Sequence, residues 1–187
     1  MSQHNGHIDA LLKSCIQGEQ SAQFEIYNRY YLAMYNTAYR IVKNKAEAED
    51  VMQESFLRAF TKLHTFKGDV TFGAWLKRIV INNSIDHYKK QQKNRMMDLD
   101  EVMYKVEDNV GVPFDQKDYT KMKVQRVIES IQSLKDNYRI SLTLHLIEGY
   151  DYKEISEIMN MSYANCRTTI SRAKEHLRKK LTINAPS

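Results

Sequence analysis

Residues that break helices are scarce in this chain. Of 187 residues only two are proline and six are glycine, while 42 % are hydrophobic. That balance points to a mostly helical soluble protein of one or two domains. Cysteine is equally sparse. Cys15 and Cys166 stand far apart, each on an apolar helix face, so they make no metal site of their own. Buried thiols in a reducing compartment account for them. No apolar run approaches the roughly 20 residues needed to span a bilayer. The first residues, Met-Ser-Gln-His-Asn-Gly-His, have neither a charged leader nor an apolar stretch, so no signal peptide is expected and the cytoplasm is the expected location. Reaction chemistry is missing as well. There is no Gly-rich phosphate loop and no Ser/His/Asp or Cys/His arrangement. The histidines, among them His64, His87, His145 and His176, lack ligand spacing and read as packing or surface residues. No catalytic residue, metal or cofactor is expected.

What the chain does have is unevenly placed charge. The formal net charge of +5 permits a nucleic-acid partner without demanding one. Lys77, Arg78, Lys89, Lys90, Lys93 and Arg95 form one basic cluster, opposed by Asp86, and the last helix carries another. Between them Asp98, Asp100, Glu101, Glu107, Asp108, Asp115 and Asp118 make an acidic interval. Two polyanion-binding modules joined by an acidic connector fit this pattern. Periodicity fades from about residue 94 to 118, and the Pro and Gly of residues 110–114 mark a loop. The expected organisation is all-α: a helical domain over 1–93, a flexible acidic linker over 94–118, and a second helical domain over 119–187.

The last third is the most informative stretch. Asp151 followed by Glu154 has the spacing of a capping box. Ile155, Ile158 and Met159 give that short helix an apolar edge, and Asn160-Met161 leaves room only for a turn. Ser162 then caps a second helix whose Cys166, Ile170, Ala173, Leu177 and Leu181 recur at helical spacing and must be buried. Arg167, Thr168, Ser171 and Arg172 lie on another face near its start, where a helix-turn-helix touches base edges. Lys174, Arg178, Lys179 and Lys180 extend the positive charge toward phosphates. Taken alone, this helix fits a solvated surface helix equally well. The helices before it shift the balance. Tyr138, Leu142, His145 and Leu146 line one, stopped by Gly149, and Val124, Val127, Ile128, Ile131 and Leu134 line another.

In the first half, helices are expected over residues 8–17, 21–43, 46–63 and 71–92. The second has Phe24, Tyr27, Tyr31, Tyr35 and Ala38 as its stripe. The third opposes a core edge of Met52, Phe56, Ala59, Phe60 and Leu63 to an outer strip of Asp50, Gln53, Glu54 and Leu57. That strip is either a solvated face or a docking surface for a basic partner helix. Lys67, Gly68, Asp69, Val70 and Thr71 form a polar loop flanked by aromatics. With the lysines downstream it suits single-stranded DNA, whose backbone follows positive charge while a splayed base is held by polar groups.

Three segments occur in order: Ala48-Glu-Asp-Val-Met-Gln-Glu-Ser-Phe-Leu57; Phe72-Gly-Ala-Trp-Leu76 continuing through Asn82 and Asp86; and Ser171-Arg-Ala-Lys-Glu-His-Leu177. Together they resemble an extracytoplasmic-function (group IV) sigma factor of the sigma-70 family, over nearly the whole chain from about Phe24 to Leu181. The resemblance implies a subunit that directs core RNA polymerase to promoters. It implies that Asp50, Gln53, Glu54 and Leu57 meet the clamp helices of the beta-prime subunit. Lys67, Gly68, Asp69, Val70 and Thr71, with Lys77, Arg78, Asn82 and Lys89, would hold melted minus-ten DNA. Arg167, Thr168, Ser171, Arg172, Lys174 and Arg178 would meet the minus-35 duplex. It also implies contact with the beta flap, an anti-sigma factor as partner, a monomer when free, and a linker threading the polymerase. Three departures bear on this. Lys135 stands where the family often has proline, Ile81 where an arginine is common, and Ala164-Asn165 in place of glycine-threonine. A dimeric helix-turn-helix repressor is the alternative, although it leaves the segment from Ala48 to Lys90 without a purpose. A nucleotide-acting enzyme lacks a catalytic constellation, and a helical adaptor leaves the basic edge unexplained.

Overall fold

The structure, a computed structural model, describes residues 2–97 and 119–183. Residues 1–91 and 92–187 form two compact units. Helices α1 (Ser2–Ile16), α2 (Gln20–Val42), α3 (Lys45–Thr61) and most of α4 (Phe72–Met97) belong to the first. The second holds α5 (Tyr119–Gln132), α6 (Asp136–Leu142), a π-helical turn (Thr143–Ile147), α7 (Tyr152–Met159) and α8 (Tyr163–Ile183). Among the described residues there is no strand. Most of the acidic interval and the Pro-containing loop at 110–114 lie outside the described residues.

In the first unit, α2 and α3 form an antiparallel hairpin turned by Lys43, whose backbone is left-handed (φ 65°), and by Asn44, whose side chain accepts from the Glu47 N–H. The pairing is visible where Tyr31 donates to Glu49 and Tyr27 packs on Phe56. Ile26, Met34 and Ala38 of α2 bury against Val51, Met52, Phe56 and Ala59 of α3, and Leu12, Leu63, Leu76 and Val80 close the core. Each large aliphatic side chain so buried contributes about 1.5–3 kcal/mol relative to exposure. Tyr31, Tyr35 and Tyr39 stack along the flank of α2, with ring centroids 6.1 and 6.2 Å apart. Burial pushes the Tyr31 phenol upward, and its hydrogen bond to Glu49 pushes the same way.

Two expectations need correction here. Phe24 was expected in the core stripe, yet it is 67 % exposed. It lies two residues from both Ala22 and Ile26, which are buried, and two residues are about 200° of helical rotation. Helix α4 also runs past its expected end near Gln92 to Met97. The intervening lysine, asparagine, arginine and methionines contain no glycine or proline to stop it.

In the second unit the second half of α6 is buried: Arg139, Ile140, Ser141 and Leu142, then Thr143 and Leu144 of the π turn, are all inaccessible, while Asn137 is exposed. The expected one-sided stripe is therefore corrected. Leu146 is exposed, and Val124 of α5 is 55 % exposed, while Ile131 of α5 and Leu134 just beyond its end are buried. Leu146 is turned outward by the π turn, in which Glu148 N–H bonds to Thr143 O across five residues and shifts the helical phase. Lys135, at the proline position, has φ −58° and ψ 145°. A proline would lock the same φ, so the lysine leaves the chain entering α6 along the path proline would impose.

The capping box at α7 is formed on both sides: Asp151 Oδ1 accepts from Glu154 N–H at 2.8 Å, and Asp151 N–H donates to Glu154 Oε2 at 2.9 Å. Asp151→Ala should cost about 1 kcal/mol, which in a unit of this size lowers the melting midpoint by roughly 4–8 °C by calorimetry. Cys15 and Cys166 are both buried, and burial raises their thiols, so little thiolate forms near neutral pH. Iodoacetamide at pH 8 should label neither thiol in the folded protein and both rapidly in 8 M urea, as counted by mass spectrometry.

Candidate partner and nucleic-acid interfaces

On α3, residues 50, 53, 54 and 57 recur at helical spacing, so Asp50, Gln53, Glu54 and Leu57 share one outward strip, and all are exposed. Leu57 is 69 % exposed, an apolar centre inside a polar rim. The side chains are not loose. Gln53 donates to Glu49 at 3.3 Å, and Glu54 accepts from Arg58 Nη2 at 2.6 Å. Arg58 Nη1 donates to Asn83 Oδ1 at 2.7 Å, and Asn83 Nδ2 donates to Ser55 Oγ at 2.9 Å. Ser55 in turn donates to Val51 O at 2.6 Å. The Glu54–Arg58 pair is half exposed and is worth a few tenths of a kcal/mol at most. Its importance is geometric, because Arg58 is anchored to a buried amide on α4. Sequence reasoning missed Arg58, Ser55 and Asn83. The available signal was Asn83 itself, a polar residue three positions after Val80 on the face that buries Leu76 and Val80.

The loop from 67 to 71 stands out from this unit. Lys67, Gly68, Asp69, Val70 and Thr71 are all exposed, Val70 by 54 %. Gly68 has φ +79°, a conformation that a side chain would strain. Both ends are pinned. Phe66 packs on Phe72 and Trp75 at 5.8 and 5.4 Å between centroids. Thr71 Oγ1 accepts from Ala74 N–H at 3.3 Å, capping α4. Gly73 lies so close to Tyr30 that an added Cβ would stand 2.9 Å from the ring, which explains glycine in the first turn of α4. Further along, Arg78, Asn82 and Lys89 fall within about 40° of one another on the outer face, with exposed Asp86 beside them. Lys77 is half-buried and lies about 100° from Arg78 around the helix. Ile81, in the family's arginine position, is fully buried.

Helices α7 and α8 are joined by a Schellman closure. Met161 N–H bonds to Ser156 O at 2.9 Å and Asn160 N–H to Glu157 O at 3.2 Å, with Asn160 left-handed at φ 53°. Ser162 Oγ accepts from Asn165 N–H at 3.2 Å and starts α8. Cys166, Ile170, Ala173 and Leu177 are buried along one edge. At about 100° per residue, Thr168 points directly away from that edge, Ser171 and Arg172 lie to either side of Thr168, and Arg167 and Arg178 lie on the flank. All five are exposed. Thr168 Oγ1 donates back to Ala164 O at 3.0 Å, so it presents its methyl group and oxygen lone pairs outward. Lys179 pairs with Glu175 at 2.8 Å, which holds the Glu175 carboxyl below its usual range. Lys174 behaves differently from Arg167, Arg172 and Arg178. It is half-buried, with its ammonium 3.1 Å from His145 Nε2 and 3.3 Å from Tyr152 Oη.

These features define a two-module helical protein whose second module is a helix-turn-helix. Residues 26–94 match the family model of Sigma-70 region 2, and residues 125–177 match that of Sigma-70, region 4. The chain is 32 % identical to the ECF RNA polymerase sigma factor SigW of Bacillus subtilis over 93 % of its length and 96 % of the relative's. It is also 32 % identical to SigM of the same organism, over 82 % of this chain and 91 % of the relative. Among solved structures it is similar to CnrH in complex with the cytosolic domain of CnrY, with TM-score 0.54 and 22 % identity over 94 % of this chain and 97 % of that one. The sigma factor RpoE in complex with the anti-sigma factor NepR from Bartonella quintana has TM-score 0.59 and 18 % identity, over 86 % and 99 %. The chain belongs to the extracytoplasmic-function sigma factors of the sigma-70 family. It binds RNA polymerase core and directs promoter-specific initiation of transcription.

Asn83→Ala removes the acceptor of Arg58 and the donor to Ser55 inside the first unit. It should destabilise that unit by about 1–3 kcal/mol, measured from the urea midpoint.

Proposed function

We propose that the strip of Asp50, Gln53, Glu54 and Leu57 is the surface that seats on the beta-prime clamp helices of core polymerase. The observation that carries this is the exposed Leu57 framed by acidic and amide side chains, a face suited to a basic partner helix with one apolar contact. The loop of Lys67, Gly68, Asp69, Val70 and Thr71 receives an unstacked base of the melted minus-ten element, its rigid ends making a fixed frame for a flipped nucleotide. Lys77, Arg78, Asn82 and Lys89 follow the displaced strand, the cations through its phosphates. Arg167, Thr168, Ser171, Arg172 and Arg178 of α8 meet the minus-35 duplex, the arginines at guanine edges or phosphates. The domain over 119–187 also faces the beta flap.

The acidic linker over 94–118 mimics nucleic acid in a positively charged channel of the polymerase. The chain performs no bond chemistry itself; it places the polymerase and opens the duplex. It acts as a monomer in the cytoplasm, where the polymerase is. Both structural relatives were captured with a second protein, RpoE with the anti-sigma factor NepR and CnrH with the cytosolic domain of CnrY. An anti-sigma factor holding this chain off the polymerase fits the same pattern. Among the described residues no helix is long and apolar enough to cross a membrane.

Run-off transcription with core polymerase tests the reading, and sequencing the transcript ends from fragmented genomic DNA identifies the promoters. Glu54→Lys and Asp50→Lys should each weaken core binding about tenfold or more by fluorescence titration, the change expected when like charges meet across an interface. Undiminished binding by both variants would remove the strip from the interface. Arg172→Ala should weaken binding to the minus-35 duplex by about 1–3 kcal/mol and relax the choice of base at one position, read from competition band shifts.

A further inference from the structure

Lys174 occupies a place on α8 that separates it from the arginines of that helix. Helical geometry puts it about 20° nearer the buried edge than Arg167, and about 40° nearer than Arg178. Its ammonium lies 3.1 Å from His145 Nε2, 3.3 Å from Tyr152 Oη and 5.7 Å from the centroid of the Tyr152 ring. The opposite ring nitrogen, His145 Nδ1, is 3.1 Å from the backbone carbonyl of Tyr150. A carbonyl can only accept and an ammonium can only donate. Both ring nitrogens are thereby assigned: Nδ1 carries the proton and Nε2 offers its lone pair to Lys174. The His145 and Tyr152 rings pack at 4.9 Å.

Three elements meet at this point. His145 comes from the π turn, whose wider winding displaces its side chain from the phase of α6, Tyr152 opens α7, and Lys174 belongs to α8. The apolar edge of α8 can slide or roll by small amounts without losing its burial. A directional bond to a fixed acceptor removes that freedom. π turns recur at functional positions, and here the turn has a definite product, an imidazole aimed at the recognition helix.

We propose that His145 is a positioning residue for the recognition helix, acting through Lys174, whose ammonium is held inside the domain instead of reaching a phosphate. The proposal rests on the reading of α8 as the helix that meets duplex DNA. It assigns Lys174 a different task from Arg178, with which the sequence pattern had grouped it. Base contacts at Arg167, Thr168, Ser171 and Arg172 then depend on a lysine that touches no DNA.

The test uses the full chain assembled with core polymerase. Its probe is the promoter fragment giving the strongest run-off transcript, set against the same fragment scrambled over its upstream element. Lys174→Met keeps the stem and removes the ammonium, His145→Leu removes the acceptor, and His145→Gln returns an acceptor oxygen. Lys174→Met and His145→Leu should each lower the preference for the probe by about fivefold or more, the lower end of what one misplaced base contact costs. The double variant should be no worse than either single one, because both remove one interaction, and His145→Gln should recover part of the loss. The salt dependence of binding should keep its wild-type slope in Lys174→Met, whereas Arg178→Met should make it shallower by about 0.9. In the free wild-type chain, nitrogen-15 NMR should find the His145 proton on Nδ1, a measurement that needs no variant to fold. A proton on Nε2, an unaltered preference in both variants, or a lost unit of salt slope in Lys174→Met each overturns the positioning role. If the wild-type holoenzyme shows no preference for the probe over the scrambled fragment, the duplex-reading assignment of α8 fails first and takes this role with it.

Discussion

Cys166, Ile170, Ala173 and Leu177 hold α8 by one edge, and that packing decides what the rest of the helix can touch. Burying its apolar edge confines a helix to a narrow range of rotational settings. Residues two positions away from the edge are then turned outward whether or not they have a use. Thr168 and Arg172 face solvent for this reason alone. The caps at Asp151 and Ser162 and the left-handed Asn160 set the angle at which α8 leaves α7. The exposed face of α8 is thus a by-product of core packing joined to turn chemistry, and it needs no strain of its own.

The same constraint operates in the first unit with a polar addition. Burying Met52, Phe56 and Ala59 turns Asp50, Gln53, Glu54 and Leu57 outward. The outward strip is connected to α4 through Arg58 and the buried Asn83, so the two helices share one hydrogen-bonded network. Satisfied polar groups in a core are directional where apolar packing is not. In both units a directional polar contact, Asn83 in one and His145 with Lys174 in the other, fixes what apolar burial alone leaves adjustable.

Arg139 is a further case of charge inside the second unit. It is almost wholly buried and pairs with Asp136 at 3.0 Å on its own first turn. The buried face of α6 takes Arg139 and Ser141 inward and partners them from within the helix, Arg139 donating to Asp136 and Ser141 to the Asn137 carbonyl.

Much of the architecture was legible in the residues themselves. Helical periodicity with few glycines and prolines gave the all-α class, and Asp151, Glu154, Asn160 and Ser162 marked the turn before the recognition helix one residue at a time. The outward strips on α3 and α8 could be read because each stands opposite a regular apolar edge, and opposition is a property of spacing. What spacing does not contain is the phase shift of a π turn, which left Leu146 outside and brought His145 inward, or the identity of contacts between helices distant in sequence. Phe24 was misplaced because an aromatic residue has the composition of a core position without its rotational phase. Tertiary structure alone decided that Asn83 joins Arg58 and that Lys174 turns to His145. Both depend on which helix lies alongside which, and local sequence encodes only the face that each helix has to bury.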